Sequence, residues 1–334
     1  MSIYTASEAR YEAMRYNRAG ASGLSLPAVS LGMWHNFGAQ NDFDNMKAMC
    51  FTAFDLGITH FDLANNYGFP HIGSAEENVG KILATDLKPY RNELLISTKA
   101  GYRMWPGPYG DFGSRKYVIS SLDDSLKRLG LDYVDIFYHH RPDDSTPLEE
   151  TMEALAQIVR SGKALYVGLS NYNGKQMHKA AEILSDLHCP FIINQNRYSI
   201  LDRTVEKNGA LLSSRALGKG MIVFSPLCQG ILSDRYLYGI PADSRIKTSG
   251  IYLKESSLSP ELLDKVARLS LLAKERGESL AQMALAWLLE KEGVTSVLIG
   301  ASSPSQIKEN VGVLKSAPFS SEEQALIDQI SLSV

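Results

Sequence analysis

The sequence has little that would favour a secreted, membrane-spanning or metal-binding protein. Among 334 residues there are three cysteines, Cys50, Cys189 and Cys228. No two of them form a C-x-x-C pair, so neither a disulfide framework nor a zinc site is predicted. No run approaches the roughly 18 unbroken apolar residues that a membrane-spanning helix needs. The first residues also lack the charged-then-apolar pattern of a signal peptide. We therefore expect a cytoplasmic protein without membrane contact.

The charge of the chain and the absence of several well-known motifs exclude further classes of protein. The formal net charge is −3 and the isoelectric point is about 6.2, so there is no basic field to attract nucleic acid. The sequence lacks the G-x-G-x-x-G pattern of a Rossmann dinucleotide site, a Walker A loop, the H-E-x-x-H zinc motif and the G-x-S-x-G nucleophile elbow. The seven histidines show no metal-binding spacing, and no metal is expected.

What the sequence does contain is an alternation of short apolar runs with longer amphipathic segments. Most runs are apolar on both faces, which is typical of parallel strands covered by helices. Eight strand–helix repeats with right-handed crossovers favour a closed (β/α)8 TIM barrel over an open doubly wound sheet. The predicted strands are 29–33, 58–62, 94–99, 133–140, 164–170, 191–195, 221–225 and 296–300.

Helix-capping patterns accompany this alternation. The clearest helix spans 146–162, with Thr146 predicted as the N-cap, Pro147 at the first helical position, Glu149 completing a capping box and Gly162 ending the helix. Capping boxes are also predicted at three other helix starts, namely Ser74 with Glu77, Ser279 with Gln282, and Ser303 with Gln306.

The remaining segments predict one barrel domain over residues 1–334. Residues 14–27 contain Gly20, Gly23 and Pro27 and predict a hairpin that covers the bottom of the barrel. Segments 100–114 and 226–258 predict long loops. Because each follows a strand, both belong to the C-terminal face, where barrel active sites lie.

Ionisable side chains end or follow three consecutive strands. Asp62 ends the second strand and Tyr67 follows it, while Lys99 ends the third strand and His140 the fourth. Each residue alone has an ordinary structural role in a turn or at a strand end. Neighbouring strands lie about 4.8 Å apart, so these side chains can reach one another. Their joint occurrence favours a catalytic site.

The chemistry that these four residues share is proton donation. A tyrosine has an ordinary pKa of about 10. A lysine cation beside it stabilises the phenolate and lowers that pKa, and a carboxylate keeps the lysine charged. We therefore predict that Asp62 and Lys99 tune Tyr67 as a general acid. His140 would hydrogen-bond the oxygen that receives the proton.

The segments around these residues resemble the aldo-keto reductase family. D-x-A-x-x-Y (62–67), the lysine of ISTKAG (96–101) and the second histidine of YVDIFYHHRPD (133–143) resemble its catalytic tetrad, with His139 pointing away. Other segments resemble the branch of the family that contains bacterial L-glyceraldehyde 3-phosphate reductases and potassium-channel β subunits. The β subunits carry asparagine at the position of His140, so the histidine favours an enzyme. These segments are WHNFG (34–38), FDLANNYG (61–68) and MWPGPYG (104–110).

The resemblance implies NADP(H) bound in an extended form across the C-terminal face. Ser170, Asn171 and Gln195 would hold the nicotinamide carboxamide, and Phe224 would stack on the ring. Ser225, Pro226 and Leu227 would line the pyrophosphate. The adenosine end would be held by Ser302, Gln306, Glu309 and Asn310. The other cofactor residues implied are Met33, Trp34, Gln40, Asp62, Gly230, Arg235, Arg245 and Gly300.

One departure from the family pattern concerns the 2′-phosphate. Many members carry lysine at the position of Gly300 and arginine at that of Gln306, and this chain has neither. Arg235 or Arg245 would have to take over the contact.

For the substrate, the resemblance implies a small aldehyde or ketone such as glyceraldehyde 3-phosphate or methylglyoxal, reduced to the alcohol with Tyr67 as the acid. Arg103 or Arg141 would recognise a substrate phosphate, since arginine suits phosphate. Relatives form tetramers or larger assemblies, so a homo-oligomer is implied. The expected pocket residues are Trp34, Tyr67, Met104, Trp105 and His140.

Two other functions stay open at this point. One is an NADP(H)-binding regulatory subunit of the channel β-subunit type with little turnover. The other is a barrel aldolase that uses Lys99 as a Schiff base. The cofactor-like segments argue against the aldolase.

Overall fold

In a computed structural model that describes residues 4–242, 244–248 and 253–332, eight parallel strands close into a barrel. The strands pair in the order β10-β3-β4-β5-β6-β7-β8-β9, and β9 pairs with β10 to complete the ring. This confirms the predicted (β/α)8 TIM barrel. The barrel strands are β3 Val29–Gly32, β4 His60–Asp62, β5 Leu95–Ala100, β6 Val134–His139, β7 Ala164–Ser170, β8 Ile193–Arg197, β9 Gly220–Phe224 and β10 Val294–Ile299.

Helices surround the barrel because each crossover between parallel strands must return over the outside of the sheet. In the described part of the chain, none combines the length and apolar character needed to cross a bilayer. The helices are α1 Phe43–Asp55, α2 Ser74–Ala84, α3 Arg115–Leu129, α4 Leu148–Arg160, α5 Gly174–Asp186, α6 Thr204–Lys207, α7 Ala210–Ala216, α8 Arg245–Thr248, α9 Pro260–Glu275, α10 Leu280–Leu289, α11 Pro304–Val311 and α12 Ser321–Leu332.

The predicted N-terminal hairpin is also present. Strands β1 (Tyr16–Arg18) and β2 (Ser25–Pro27) pair antiparallel, and Leu26 packs with side chains of the barrel interior. Gly20, in the turn, has φ 58°, and a Cβ there would lie 2.1 Å from the carbonyl oxygen of Gly218. Glycine therefore allows the hairpin to approach the chain just before β9 closely.

Most of the barrel interior is apolar, but one sector also carries polar side chains. Side chains alternate between the two faces of a strand, so every second residue points inward. Apolar inward residues are Leu95, Ile136, Tyr138, Ile193, Ile222 and Leu298. Four neighbouring strands, β10, β3, β4 and β5, instead supply a group of buried polar residues, which are Ser296, Ser30, His60, Asp62, Ser97 and Lys99.

Two predicted helix starts were wrong. Helix α4 begins at Leu148 with Pro147 as the N-cap, since Thr146 donates its backbone N–H to the Asp143 carboxylate in a turn that precedes the helix. Ser74 is the first residue of α2, and its hydroxyl accepts from Ala39 N–H and donates to the Gly68 carbonyl, so it joins two loops.

The other predicted caps differ in how complete they are. The capping box of Ser279 with Gln282 is present in both directions. At α11, Ser303 accepts the Gln306 N–H, but the Gln306 side chain turns to Ser302.

Candidate active site

A fully buried ion pair lies at the C-terminal ends of β4 and β5. Lys99 Nζ donates to Asp62 Oδ2 at 2.5 Å and to the Leu63 carbonyl at 2.6 Å. Asp62 Oδ1 accepts from Ser97 Oγ at 2.7 Å and from Gln195 Nε2 at 3.1 Å. A buried charge is tolerated only when it is paired and its remaining hydrogen bonds are made. Both oxygens of the carboxylate are therefore committed to donors.

Tyr67 stands directly above this pair. Lys99 Nζ also donates to the Tyr67 hydroxyl at 3.3 Å, so the ammonium connects the carboxylate to the phenol. Burial raises the pKa of Tyr67 well above its usual value, and the Asp62 carboxylate adds to that increase.

The Tyr67 pKa is therefore raised and not lowered as expected. Asp62 neutralises much of the positive field of Lys99. Burial lowers the pKa of Lys99 itself, and the attraction of Asp62 opposes that decrease. Tyr67 consequently holds its proton and can act as an acid.

His140 is the fourth residue of this cluster. It directly follows β6, and its ring lies 6.1 Å from that of Tyr67 and 4.6 Å from that of Tyr102. Burial lowers the pKa of His140 well below its usual value, and the nearby Lys99 cation lowers it further. The imidazole is therefore neutral and can donate one hydrogen bond to an oxygen placed between it and Tyr67.

The neighbouring His139 behaves differently. It points to the other face of β6, where its Nδ1 lies 2.7 Å from the Tyr172 hydroxyl. Two adjacent strand residues must face opposite sides of the sheet. The strand geometry thus separates a site histidine from a structural one.

A cavity of about 390 Å³ extends from this cluster across the C-terminal face. Its volume is within the range of small-molecule and cofactor sites. It joins the catalytic candidates Asp62, Tyr67 and His140 to most of the predicted cofactor residues. Those on its wall are Trp34, Gln195, Phe224, Ser225, Pro226, Leu227, Gly230, Arg235, Gly300, Ser302, Gln306, Glu309 and Asn310.

Among the described residues, several predicted site members do not line this cavity. Met33 and Ser170 are buried, and Gln40 is exposed. Asn171 has φ 63°, and its side-chain amide donates to the His140 carbonyl at 2.9 Å. In this conformation Asn171 holds the backbone of His140.

Met104 and Trp105, predicted for the substrate pocket, belong to the loop after β5. Met104 N–H donates to the Gly110 carbonyl, and the Trp105 ring lies 5.3 Å from that of Tyr117. Among the described residues, neither is part of the cavity wall. The loop folds on itself, and the sequence contains no signal for that.

The predicted arginines differ in their surroundings. Arg141 donates to the Gly101 carbonyl at 2.8 Å and to Asp111 at 2.9 Å, and its guanidinium stacks 4.3 Å from the centre of the Tyr102 ring. Arg103 is exposed and makes no hydrogen bond or ion pair with the described residues. Arg235 lines the cavity. The side chain of Arg245, at the start of α8, lies outside the described residues.

The sequence reasoning missed several residues on the cavity wall. Asn36 has φ 69°, and its side chain donates to the Ala301 carbonyl at 2.9 Å, which joins the loop after β3 to that after β10. A polar residue in the loop that follows a strand was the available signal. The other missed wall residues are Gly32, His35, Gln229, Ser233, Tyr236, Ala281, Leu298, Ile299 and Ala301.

The backbone after β9 curves around the cavity in an unusual conformation. Ser225, Cys228, Gln229 and Gly230 all have positive φ, at 53°, 46°, 60° and 94°. Within this turn the N–H groups of Cys228 and Gly230 donate to the carbonyls of Ser225 and Leu227. Within the described ranges, no group of three histidine, cysteine or acidic side chains is placed to hold a metal.

Comparison with known proteins gives consistent matches over nearly the whole chain. The model of the Aldo/keto reductase family matches residues 28–332. A protein of Escherichia coli (strain K12) named L-glyceraldehyde 3-phosphate reductase is 54% identical over 332 residues, which cover 98% of this chain and 95% of that protein. A probable voltage-gated potassium channel subunit beta of Oryza sativa subsp. japonica is 37% identical over 327 residues, with 96% and 97% covered. Both branches expected from the resemblance are therefore among the relatives.

Proposed function

The chain belongs to the aldo/keto reductase family and is an oxidoreductase, and from that premise we propose that it reduces small aldehydes and ketones to alcohols with NADPH. One observation carries the proposal. The Tyr67 hydroxyl, which holds its proton, lies on the cavity wall with Lys99 Nζ 3.3 Å away and the neutral His140 ring opposite. These groups suit protonation of an oxygen that gains negative charge.

In this proposal the protein's own groups bind, orient and protonate the carbonyl oxygen. His140 and Tyr67 both hydrogen-bond that oxygen, which fixes its angle. Bound NADPH supplies the hydride that the carbonyl carbon accepts. As charge develops on the oxygen, the Tyr67 hydroxyl gives up its proton to it, and the Lys99 ammonium stabilises the phenolate left behind. Asp62 keeps the ammonium charged and in place.

The cavity fits a nicotinamide dinucleotide. Its shape continues from the tetrad past Phe224 to the start of α11, and Ser225, Pro226 and Leu227 on its wall would line the diphosphate. Phe224 would stack on the nicotinamide, and Gln195 would hold its carboxamide. For the 2′-phosphate, Arg235 is the cation on the described part of the wall. We therefore propose that NADPH is preferred over NADH. The preference would be weaker than in a protein with lysine at the position of Gly300 and arginine at that of Gln306.

For the substrate we propose small aldehydes, with glyceraldehyde 3-phosphate first and methylglyoxal as an unphosphorylated alternative. The E. coli relative is named for the phosphorylated compound. Arg141 is already engaged by Asp111 and Gly101, whereas Arg103 is exposed and uncommitted among the described residues. We therefore assign the phosphate contact to Arg103. We also propose that the chain acts as one barrel domain in a homo-oligomer, which light scattering can measure.

The test is a turnover assay that follows oxidation of NADPH or NADH with glyceraldehyde 3-phosphate, glyceraldehyde and methylglyoxal. We expect turnover with at least one aldehyde. We also expect that Tyr67→Phe binds NADPH as the wild type does but loses roughly 10²- to 10⁴-fold in kcat. The cofactor-binding measurement is the control for folding.

Two results would contradict the proposal in different ways. Tight NADPH binding without turnover on any aldehyde would favour the regulatory-subunit function, for which the 37% identity to a channel β subunit is the supporting observation. Borohydride trapping of substrate on Lys99 in the absence of NADPH would favour the aldolase.

A further inference from the structure

A continuous chain of buried side chains runs inside the barrel below the ion pair. Ser97 Oγ lies 2.7 Å from Asp62 Oδ1, and His60 Nε2 lies 2.9 Å from Ser97 Oγ. His60 Nδ1 lies 2.9 Å from Ser30 Oγ, which lies 2.7 Å from Ser296 Oγ. All five residues have no exposed surface. The chain therefore connects the site carboxylate to the interior of β3 and β10.

The carboxylate at one end and a neutral imidazole in the middle set the direction of the hydrogen bonds. An ionised carboxylate only accepts, so the Ser97 hydroxyl must donate to Asp62. The oxygen of Ser97 is then the acceptor for His60 Nε2–H. A neutral imidazole carries one N–H, so His60 Nδ1 must accept from the Ser30 hydroxyl. Each donor thus has one acceptor, and reversing any bond would break its neighbour.

The condition for this order is a neutral His60. Burial lowers the pKa of His60 to about 4, with Lys99 lowering and Asp62 raising it. Above that pH the imidazole has one donor and one acceptor, as the chain requires. A second proton on His60 would put a donor against the Ser30 hydroxyl and reverse that bond.

We propose that His60 is a positioning residue for the catalytic ion pair: through Ser97 it holds the Asp62 carboxylate in the orientation that places Lys99 under Tyr67. The inference rests on the proposed reductase function for its kinetic consequence. His60 itself lies below the cavity wall and contacts neither Tyr67 nor the cavity. Its effect must therefore pass through Ser97 and Asp62.

Packing alone does not account for these residues. Inward positions on β6, β8 and β9 of the same barrel include Ile136, Ile193 and Ile222, which need no hydrogen bonds. Buried hydroxyl and imidazole groups cost free energy unless they are hydrogen-bonded. A chain whose hydrogen bonds can all be made in only one direction fixes one arrangement of its side chains. An apolar residue at His60 would fill the space but leave the Ser97 oxygen without the donor that holds it in place.

The chain is not a path for protons to solvent. It ends at Ser296, whose hydroxyl donates to Ser30 Oγ at 2.7 Å in this order, with the Ala28 carbonyl 3.4 Å away, and both Ser296 and Ala28 are fully buried. A carbonyl cannot pass a proton on. The chain can therefore orient the carboxylate, but it cannot supply the proton that Tyr67 donates.

The test compares two substitutions of the same residue. In His60→Leu the side chain fills the space without polar atoms. In His60→Gln the amide can donate to Ser97 and accept from Ser30. We expect His60→Leu to lower kcat about tenfold with the NADPH dissociation constant unchanged, because one hydrogen bond that orients a charged group is lost. We expect His60→Gln to recover most of that loss. Ile193→Val, which removes one methyl group from the apolar part of the interior, is the packing control and should leave kcat unchanged.

A double-mutant cycle with Ser97→Ala separates positioning from a general structural effect. If His60 acts through Ser97, adding His60→Leu to Ser97→Ala lowers kcat no further. Independent, multiplying losses would overturn the proposal. So would a His60→Leu variant with wild-type kcat, or an Ile193→Val variant as slow as His60→Leu.

A readout without substrate or cofactor distinguishes failure of this inference from failure of the proposed function. The carbon-13 shift of the Asp62 carboxyl, identified by its loss in Asp62→Asn, reports the hydrogen bonds to that group. We expect it to move in His60→Leu and to return toward the wild-type value in His60→Gln. An unchanged shift in His60→Leu would overturn the positioning role even if the enzyme proves to be an active reductase. A shifted signal in a protein without turnover would contradict only the reductase proposal.

Discussion

The two halves of the cavity are built differently. In the strand-end half, Asp62 and Lys99 have no exposed surface, His140 is 8% exposed, and the ion pair is held by several hydrogen bonds. In the loop half, Arg235, Ser302 and Glu309 are exposed and are carried by the segment after β9 and by the segment from Ala301 into α11. The first half is fixed by the register of the barrel. The second depends on loop conformation.

The strand-end half carries the residues proposed for the chemistry, and the loop half carries those proposed for ligand selection. The register places Asp62 beside Ser97, and Lys99 beside Tyr138 of the next strand, so the ion pair cannot move without disturbing the sheet. Loop side chains can change with little effect on the barrel, since connecting segments tolerate substitution better than strands. We therefore expect substitutions in the strand-end half to affect stability and turnover together. Substitutions in the loop half should change only ligand preference.

The largest effect is expected at Lys99. Lys99→Met leaves the Asp62 carboxylate buried without its cation, which costs about 3–5 kcal/mol in the free energy of unfolding. The loss of the cation beside Tyr67 should also lower kcat by about 10³-fold or more. Chemical denaturation and the turnover assay measure the two effects.

A double substitution tests whether the two effects have one cause. In Asp62→Asn with Lys99→Met the unpaired charge is gone, so most of the stability should return while turnover stays low. Recovery of turnover together with stability would show that the pair is structural only. The contrast between the two halves of the cavity would then fail.

The second prediction concerns acid stability of the barrel interior. Burial lowers the pKa of His60 and of His139 to about 4, from an ordinary value of about 6.5. Below pH 6.5 the unfolded chain therefore binds protons that these two groups in the folded chain do not bind until about pH 4. Stability is full above the ordinary pKa and falls as the pH falls toward 4.

The expected size of this loss is about 2 kcal/mol for each histidine between about pH 7.5 and pH 5. The melting temperature as a function of pH measures it. His60→Gln has no group that titrates in this range, so its curve should fall less steeply than that of the wild type. Identical slopes for the two proteins would mean that His60 is protonated in the folded state.

Most of the strand-end half could be predicted from the sequence because parallel strands bring their C-terminal ends together, whatever the loops do. The polar residues at 62, 67, 99 and 140 stood out against apolar strands. The His60–Ser97 chain was missed although its signal was present. His60, Ser97 and Ser30 occupy inward positions of buried strands, where polar residues are rare.

The loop half could be predicted only in part, because loop conformation depends on contacts between segments distant in sequence. Asn171 was expected on the nicotinamide, but its left-handed backbone turns its amide to the His140 carbonyl. Met104 and Trp105 were expected in the substrate pocket, but their loop folds on itself through the hydrogen bond from Met104 to Gly110. Neither outcome follows from composition or periodicity.

A smaller effect is expected for Arg103 and Arg141. Arg103→Ala should lower kcat/KM for glyceraldehyde 3-phosphate about tenfold and leave kcat/KM for glyceraldehyde unchanged, because one charge-assisted hydrogen bond to phosphate is lost. Arg141→Ala is the matched comparison. It removes the ion pair to Asp111, so both substrates should be affected alike. Equal sensitivity of the two substrates to Arg103→Ala would remove the assigned phosphate contact.

The smallest effect is expected at Gln306, which lines the end of the cavity proposed for the adenosine. Gln306→Arg adds a cation where a 2′-phosphate would lie, and a partly exposed charge pair is worth about 0.2–1 kcal/mol. The ratio of kcat/KM with NADPH to that with NADH should therefore rise by a few-fold.

Gln306→Glu is the matched control for this last change. It keeps the side-chain oxygen that accepts the Ser302 N–H at 2.9 Å but adds negative charge near Glu309, so the same ratio should fall. Opposite shifts with unchanged melting temperatures would show that the loop half selects the cofactor independently of the barrel. If both variants instead lost stability and turnover, Gln306 would matter mainly for holding Ser302 and α11 in place. The loop half would then be as tightly constrained as the strand ends.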